Sequence, residues 1–186
     1  MKQNNDYETL ISHVLEKSNN FQMTEEEYRY ISSFLGDKNF LVFGTGHDTP
    51  LWRHSNRQGH TLFLENDSRW IDKNDSDVIL VKYSTKRSQY KNLLEEYYND
   101  IFENLKMDLP SEVTTTQWDC IFVDSPVGTK DNKPGRMQSI FTASVLAHKD
   151  TDVFVHDTDR QVEDLYSKAM FNQTVRQLTK LRHLKK

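Results

Sequence analysis

With 186 residues, 35% of them hydrophobic and 11% aromatic, the chain is long enough to bury a core and too aromatic to be disordered. A formal charge of -4 disfavours a general nucleic-acid-binding role, and a single cysteine, Cys120, excludes an internal disulfide or a cysteine-based zinc site. No apolar stretch approaches membrane-spanning length and Met1-Lys-Gln-Asn-Asn is no signal peptide, so a soluble cytoplasmic protein without membrane or nucleic-acid partners is expected.

Residues 6–18 have helical spacing, with Tyr7, Leu10, Ile11, Val14 and Leu15 on one face. Thr24 and Glu27 read as a capping box opening a second helix, which carries Tyr28, Ile31 and Phe34 inward and stops near Gly36. From residue 40, apolar runs alternate with helical segments. Strands are predicted at 40–43, 61–65, 78–81, 120–123 and 152–155, and helices near 49–56, 67–73, 87–104, 136–147 and 161–171. Continuous apolar strands separated by helices predict an α/β three-layer sandwich around a mostly parallel sheet. Residues 1–38 would be a helical brace or lid on a core of 39–186, within one domain. After residue 172 one more strand is expected, near 178–184, with too little chain for a full antiparallel hairpin. The basic ending Leu181-Arg-His-Leu-Lys-Lys reads as a solvated tail. Cys120 lies in an apolar run and reads as core, and Trp52, Trp70 and Trp118 read as packing rather than as platforms for sugars.

Ligands of open α/β sheets bind beyond the carboxyl ends of the strands. Those ends are polar here in every case: Gly44, Gly46, His47 and Asp48 after the first strand; Glu65, Asn66 and Asp67 after the second; Lys82 and Tyr83 after the third; Asp124 and Ser125 after the fourth; His156, Asp157, Asp159 and Arg160 after the fifth. Gly44-Thr45-Gly46 followed by the helix-start signal Asp48-Thr49-Pro50 makes a strand, glycine bend and helix, a place for a nucleotide-like ligand. Glu65, about 20 residues past the bend, stands where a ribose diol is held. Thr49 replaces the third glycine of a dinucleotide fingerprint, which weakens NAD or FAD and suits S-adenosylmethionine, a ligand with a ribose and no phosphate.

The stretch Asn39-Phe-Leu-Val-Phe-Gly-Thr-Gly-His-Asp-Thr-Pro-Leu-Trp52 resembles the opening motif of the plant polysaccharide-biosynthesis family that includes glucuronoxylan 4-O-methyltransferases. The likeness continues in order through Phe63-Leu-Glu-Asn-Asp67 with Trp70, Val81-Lys-Tyr-Ser-Thr85, the run from Trp118 to Gly128, Pro134-Gly-Arg-Met137, and Val153-Phe-Val-His-Asp-Thr-Asp-Arg160. The resemblance implies a Rossmann-like class I methyltransferase fold and transfer of a methyl group from S-adenosylmethionine to a sugar hydroxyl, typically on a uronic acid branch. It also implies that Gly44, Gly46 and Asp48 line the methionine end of the donor, that Glu65 takes the ribose, and that Asp124, His156 and Asp157 face the transferred methyl.

The cofactor contacts expected are therefore Phe43, Gly44, Gly46, His47, Asp48, Glu65, Asn66, Tyr83 and Asp124. Asp124 is expected as the general base, with His156 or Asp157 as alternatives, and the same three could ligate a divalent cation. Arg136 and Arg160, with Lys130 as a weaker candidate, are expected to grip the carboxylate of a small-molecule or glycan acceptor. Other chemistry with the same donor (N-methylation or aminocarboxypropyl transfer), a non-catalytic role in polysaccharide assembly, and an NAD enzyme remain as alternatives.

Overall fold

A computed structural model describes residues 2–17, 23–72 and 74–186. Residues 18 and 73, the ends expected for the first helix and for the short helix near 67–73, lie outside them. Helix α1 (Lys2–Lys17) and helix α2 (Glu25–Ser32) precede the sheet, and α2 opens on the expected capping box: Thr24 Oγ1 accepts from the Glu27 N–H, and the Glu27 carboxylate accepts from the Thr24 N–H. The remaining chain runs β1 (Asn39–Phe43), α3 (Thr49–Ser55), β2 (His60–Glu65), β3 (Val78–Leu80), α4 (Tyr90–Tyr98), α5 (Ser111–Thr115), β4 (Cys120–Val123), α6 (Met137–Leu146), β5 (Asp152–Val155), α7 (Gln161–Met170), β6 (Gln173–Gln177) and β7 (Arg182–Lys185).

The seven strands form one sheet in the order β3-β2-β1-β4-β5-β7-β6. β1 to β5 pair in parallel with one another, and β7 pairs antiparallel with both β5 and β6. Chain order reverses between β1 and β4, so a crevice is expected beyond the carboxyl ends of those two strands. The pleat sends alternate residues to opposite faces. Leu41, Phe43, Leu62, Leu64, Ile121 and Val123 pack towards α4, α6 and α7. Phe40, Val42, Phe63, Cys120, Phe122 and Phe154 pack towards α1, α2 and α3. Cys120 is a core residue, as expected, and burial pushes its thiol up to about 12.

Four expectations are corrected. The segment 87–104 is not one helix: α4 ends at Tyr98, Asn99 Nδ2 donates to the Glu95 carbonyl, and Asp100 at φ 60 turns the chain away. Asn and Asp tolerate this left-handed turn. Residues 68–70 form only a single 3₁₀ turn. The C-terminal segment does form an antiparallel hairpin, β6–β7, and the supposed solvated tail is buried along Arg182, His183 and Leu184. Its polar groups find partners: Arg182 pairs with Asp164 at 2.6 Å, and His183 lies between Asp152 (2.7 Å) and the Tyr30 hydroxyl (2.9 Å). Trp52 and Trp118 are core, but Trp70 is 51% exposed.

Candidate active site

A cavity of about 530 Å³ opens where the topology places it, within the ordinary range for small-molecule sites. Its wall includes the bend from Phe43 to Asp48, Glu65 to Asp67, Arg69 and Trp70, Asp124 to Thr129, Lys133, Pro134 and Arg136, and His156, Asp157 and Arg160. Val14, Met23 and Tyr28 of the N-terminal segment also line it.

At the first strand end, Gly44 has φ +114, and a Cβ there would stand 2.8 Å from Ser125 Cβ. The bend is thus pressed against the end of β4 in a conformation that only glycine adopts without strain. The Gly46 N–H donates to Thr49 Oγ1 at 2.9 Å. Pro50 sits in the first turn of α3 as expected, but Asp48 does not cap that helix with its side chain; Asp48 Oδ2 accepts from the Trp52 indole N–H at 3.0 Å.

Glu65 is buried, and its carboxylate is filled. Oε1 accepts from the N–H groups of Asn66 and Asp67, both at 2.7 Å, and Oε2 accepts from the Thr45 N–H (2.9 Å) and hydroxyl (3.1 Å). Of these donors only the Thr45 hydroxyl can rotate away, leaving an acceptor position for a ligand hydroxyl. A glycine bend beside an anchored carboxylate fits a nucleoside donor such as S-adenosylmethionine.

The far wall is a charge cluster. Arg136 Nη2 lies 3.0 Å from Asp124 Oδ1 and 2.7 Å from Asp157 Oδ2, and its Nη1 donates to the His156 carbonyl at 3.0 Å. His156 Nδ1 lies 2.9 Å from Asp124 Oδ1, and Arg160 Nη1 lies 2.8 Å from Asp157 Oδ2. Adjacent residues His156 and Asp157 reach one cluster because Asp157 has φ 62, so the chain turns at once after β5. Burial alone would raise the Asp124 carboxyl, but His156 and Arg136 beside it hold it down at about 2. For His156 burial opposes the charged form, yet the Asp124 carboxylate outweighs it and raises the imidazole above its ordinary value. His156 Nε2 is buried and has no hydrogen-bond partner among the described residues.

Asp124, His156 and Asp157 offer ligand atoms within 4.8 Å of one another. The Arg136 guanidinium already bridges the two carboxylates, so a divalent ion would have to displace it. Two further expectations change. Tyr83 does not line the cavity; the chain passes β3 and turns its hydroxyl to Ser139 Oγ at 3.1 Å. Lys130 lies outside the wall and Lys133, three residues on in the same loop, is in it. Arg136 is buried and committed to two carboxylates, which leaves the partly exposed Arg160 (paired with Asp157), the exposed Arg69 (paired with Asp67) and the exposed Lys133 as the other cations of the wall among the described residues. Trp70, overlooked as a wall residue, stands at the rim with its ring 5.5 Å from His47. Its position beside Glu65 was visible in the quoted motif, whereas nothing in the sequence separates Lys133 from Lys130.

The family model described as IRX15/IRX15L/GXM matches residues 26–184. Among curated proteins of Arabidopsis thaliana, glucuronoxylan 4-O-methyltransferase 1 is 40% identical over 80% of this chain and 61% of its own length. Arabinogalactan O-methyltransferase 1 is 38% identical over 72% and 54%, and Protein IRREGULAR XYLEM 15 is 35% identical over 84% and 58%. The chain therefore spans little more than half the length of these relatives. Among solved structures, the MycE methyltransferase of the mycinamycin biosynthetic pathway, in complex with Mg and SAH, is similar with a TM-score of 0.51 over 97% of this chain and 48% of that one, at 10% identity. That likeness supports the class I methyltransferase fold.

Proposed function

The chain belongs to the IRX15/IRX15L/GXM family, and from that premise we propose that it transfers a methyl group from S-adenosylmethionine to a hydroxyl of a sugar or uronic acid. One observation carries the reading: a single cavity has the glycine bend and Glu65 at one side and the Asp124–His156–Arg136–Asp157 cluster at the other. Bound, the donor supplies an electrophilic methyl on a sulfonium. Gly44 and Gly46 would let the backbone approach it, and Glu65 would take its ribose hydroxyls in place of the Thr45 hydroxyl. The names of the relatives support a glucuronic acid or arabinogalactan-type acceptor. Lys133 and the outer edge of Arg160 are the groups that would meet an acceptor carboxylate. His156 Nε2, a buried nitrogen without a partner among the described residues, would donate to the acceptor oxygen. Holding donor and acceptor in line accounts for most of the expected rate, because alignment alone can supply several kcal/mol.

Calorimetric titration with S-adenosylmethionine and with NAD, followed by mass spectrometry of glucuronoxylan oligosaccharides incubated with protein and donor, tests this reading. The expected results are heat with the sulfonium ligand only and a product heavier by one methyl group. Binding of NAD without binding of S-adenosylmethionine would overturn the reading, and a methylated amine or an aminocarboxypropyl product would move it to other chemistry.

A further inference from the structure

The acidic side chains placed nearest the expected reaction are mostly spent. Glu65 is filled by backbone and hydroxyl donors, Asp124 Oδ1 is shared by His156 and Arg136, and Asp157 Oδ2 is shared by Arg136 and Arg160. A carboxylate held by cations is a weak base. Asp48 differs. Its Oδ2 accepts from one uncharged donor, the Trp52 indole, and no ion pair to it is found among the described residues. Its Oδ1 fits against Gly46, where a Cβ would stand 3.1 Å away, so the second glycine of the bend makes room for this carboxylate at the cavity wall.

We propose that Asp48 is the catalytic base of methyl transfer, the group that removes the proton from the acceptor hydroxyl. The proposal rests on the methyltransferase reading and changes its chemistry, since the sequence places Asp48 with the donor and the base at Asp124. In the step, a bond forms between the acceptor oxygen and the methyl carbon. The bond between that carbon and the sulfonium breaks, its electron pair stays on sulfur as a neutral thioether, and the hydroxyl proton passes to the Asp48 carboxylate and then to water.

The surroundings suit this task. Burial, and next the negative charge of Asp124, raise the Asp48 carboxyl to about 6, while the Trp52 hydrogen bond, a hydrogen bond from its own backbone and the His156 charge hold it back. Facing groups are Asp124 beyond β4, His156 beyond β5, Trp52 on α3, Tyr28 on α2 (its ring 5.6 Å from that of Trp52) and the neighbouring His47. Asp48 is therefore mainly ionised at neutral pH and far more basic than Asp124. His156, raised by the Asp124 carboxylate beside it, holds a proton more tightly than a free imidazole. A base whose affinity for protons lies near the working pH is the effective one.

Asp48→Asn keeps the shape and leaves an oxygen for the Trp52 indole. With S-adenosylmethionine and a glucuronoxylan oligosaccharide as probes, the variant should lose at least about 100-fold in kcat. Its donor Kd should stay within about threefold, and the fall in kcat on the acid side of pH 6 should disappear. In the protein alone, the Trp52 indole N–H resonance should titrate with a midpoint near 6 in the wild type and not in the variant. Turnover of Asp48→Asn equal to wild type overturns the proposal. So does a tenfold loss of donor affinity with unchanged kcat, which would make Asp48 an anchor for the donor's ammonium. An indole midpoint below about 4.5 does the same, because Asp48 would then be an ordinary exposed carboxylate. A wild type that binds the donor and methylates no saccharide overturns the functional reading, and the proposal falls with it.

Discussion

At Gly44 two constraints coincide, a positive φ and a neighbouring side chain at 2.8 Å from where a Cβ would be. Gly36 shares the first without the second, since nothing lies within 4 Å of its absent Cβ. Gly44→Ala should therefore cost more than Gly36→Ala, by about 1–3 kcal/mol, because it must move the end of β4 as well as strain the backbone. It should also weaken donor binding at least tenfold, while Gly36→Ala leaves it unchanged. Urea unfolding of both variants, with calorimetry, checks this; equal stability and equal affinity would mean the bend is not the contact surface described. Gly44, Glu65 and Asp124 were legible in the sequence because each follows an apolar strand, and the end of a parallel strand is a fixed address. Arg136 was legible as a residue, but its pairing with Asp124 and Asp157 was not: the bend at Asp157 (φ 62) that brings that carboxylate to it is a backbone choice no local pattern announces. The low affinity of Asp124 for protons and the high one of Asp48 were hidden for the same reason, since burial in the assembled fold and charges from other strand ends set both.

Among the elements, β1, β2, β4 and β5 followed from apolar runs because their central residues are buried on both faces and read as continuous hydrophobic stretches; the short edge strand β3 was legible from its apolar run although it is only partly buried. The hairpin β6–β7 escaped that rule from both sides. β6 is exposed along its whole length, so it shows no apolar face, and β7 buries an arginine and a histidine that a sequence alone assigns to solvent. What makes β7 a strand is tertiary: Asp164, Ser167, Gln177, Asp152 and Tyr30 satisfy its polar groups, and the His183 ring stacks on Phe154 at 4.6 Å. Leu184, 1% exposed on the register line with Val153, is its apolar anchor. Leu184→Ala should cost about 2–5 kcal/mol, as other buried leucine truncations do. Val175→Thr on the exposed β6 should change stability by less than about 0.5 kcal/mol. Chemical denaturation distinguishes the two; a neutral Leu184→Ala would return the C-terminal segment to a loosely held tail.

For the molecule as a whole, the cavity wall and the core are partly the same residues. Val14, Tyr28, Val42 and Phe122 belong to the cluster on the α1–α3 face of the sheet and also line the site. Phe43, of the cluster on the other face, reaches the same space from the end of β1. A ligand seated there touches both layers at the point where the strand order reverses, so binding should stabilise the entire fold rather than order one loop. S-adenosylmethionine at about 100 times its Kd adds about 2.7 kcal/mol to the folded state by mass action. For a chain of this size that corresponds to a rise in Tm of about 5–10 °C. Thermal unfolding followed by circular dichroism should show that rise as a shift of one transition, with NAD at the same concentration leaving Tm unmoved. The N-terminal helices sharpen the expectation. Because Val14 of α1 and Tyr28 of α2 form part of the wall, amide exchange in both helices should slow with the donor bound, together with that of β1 and β4. Protection confined to the Gly44–Asp48 bend, with α1 and α2 exchanging as before, would show that the helices stand apart from the bound ligand and neither brace nor cover it.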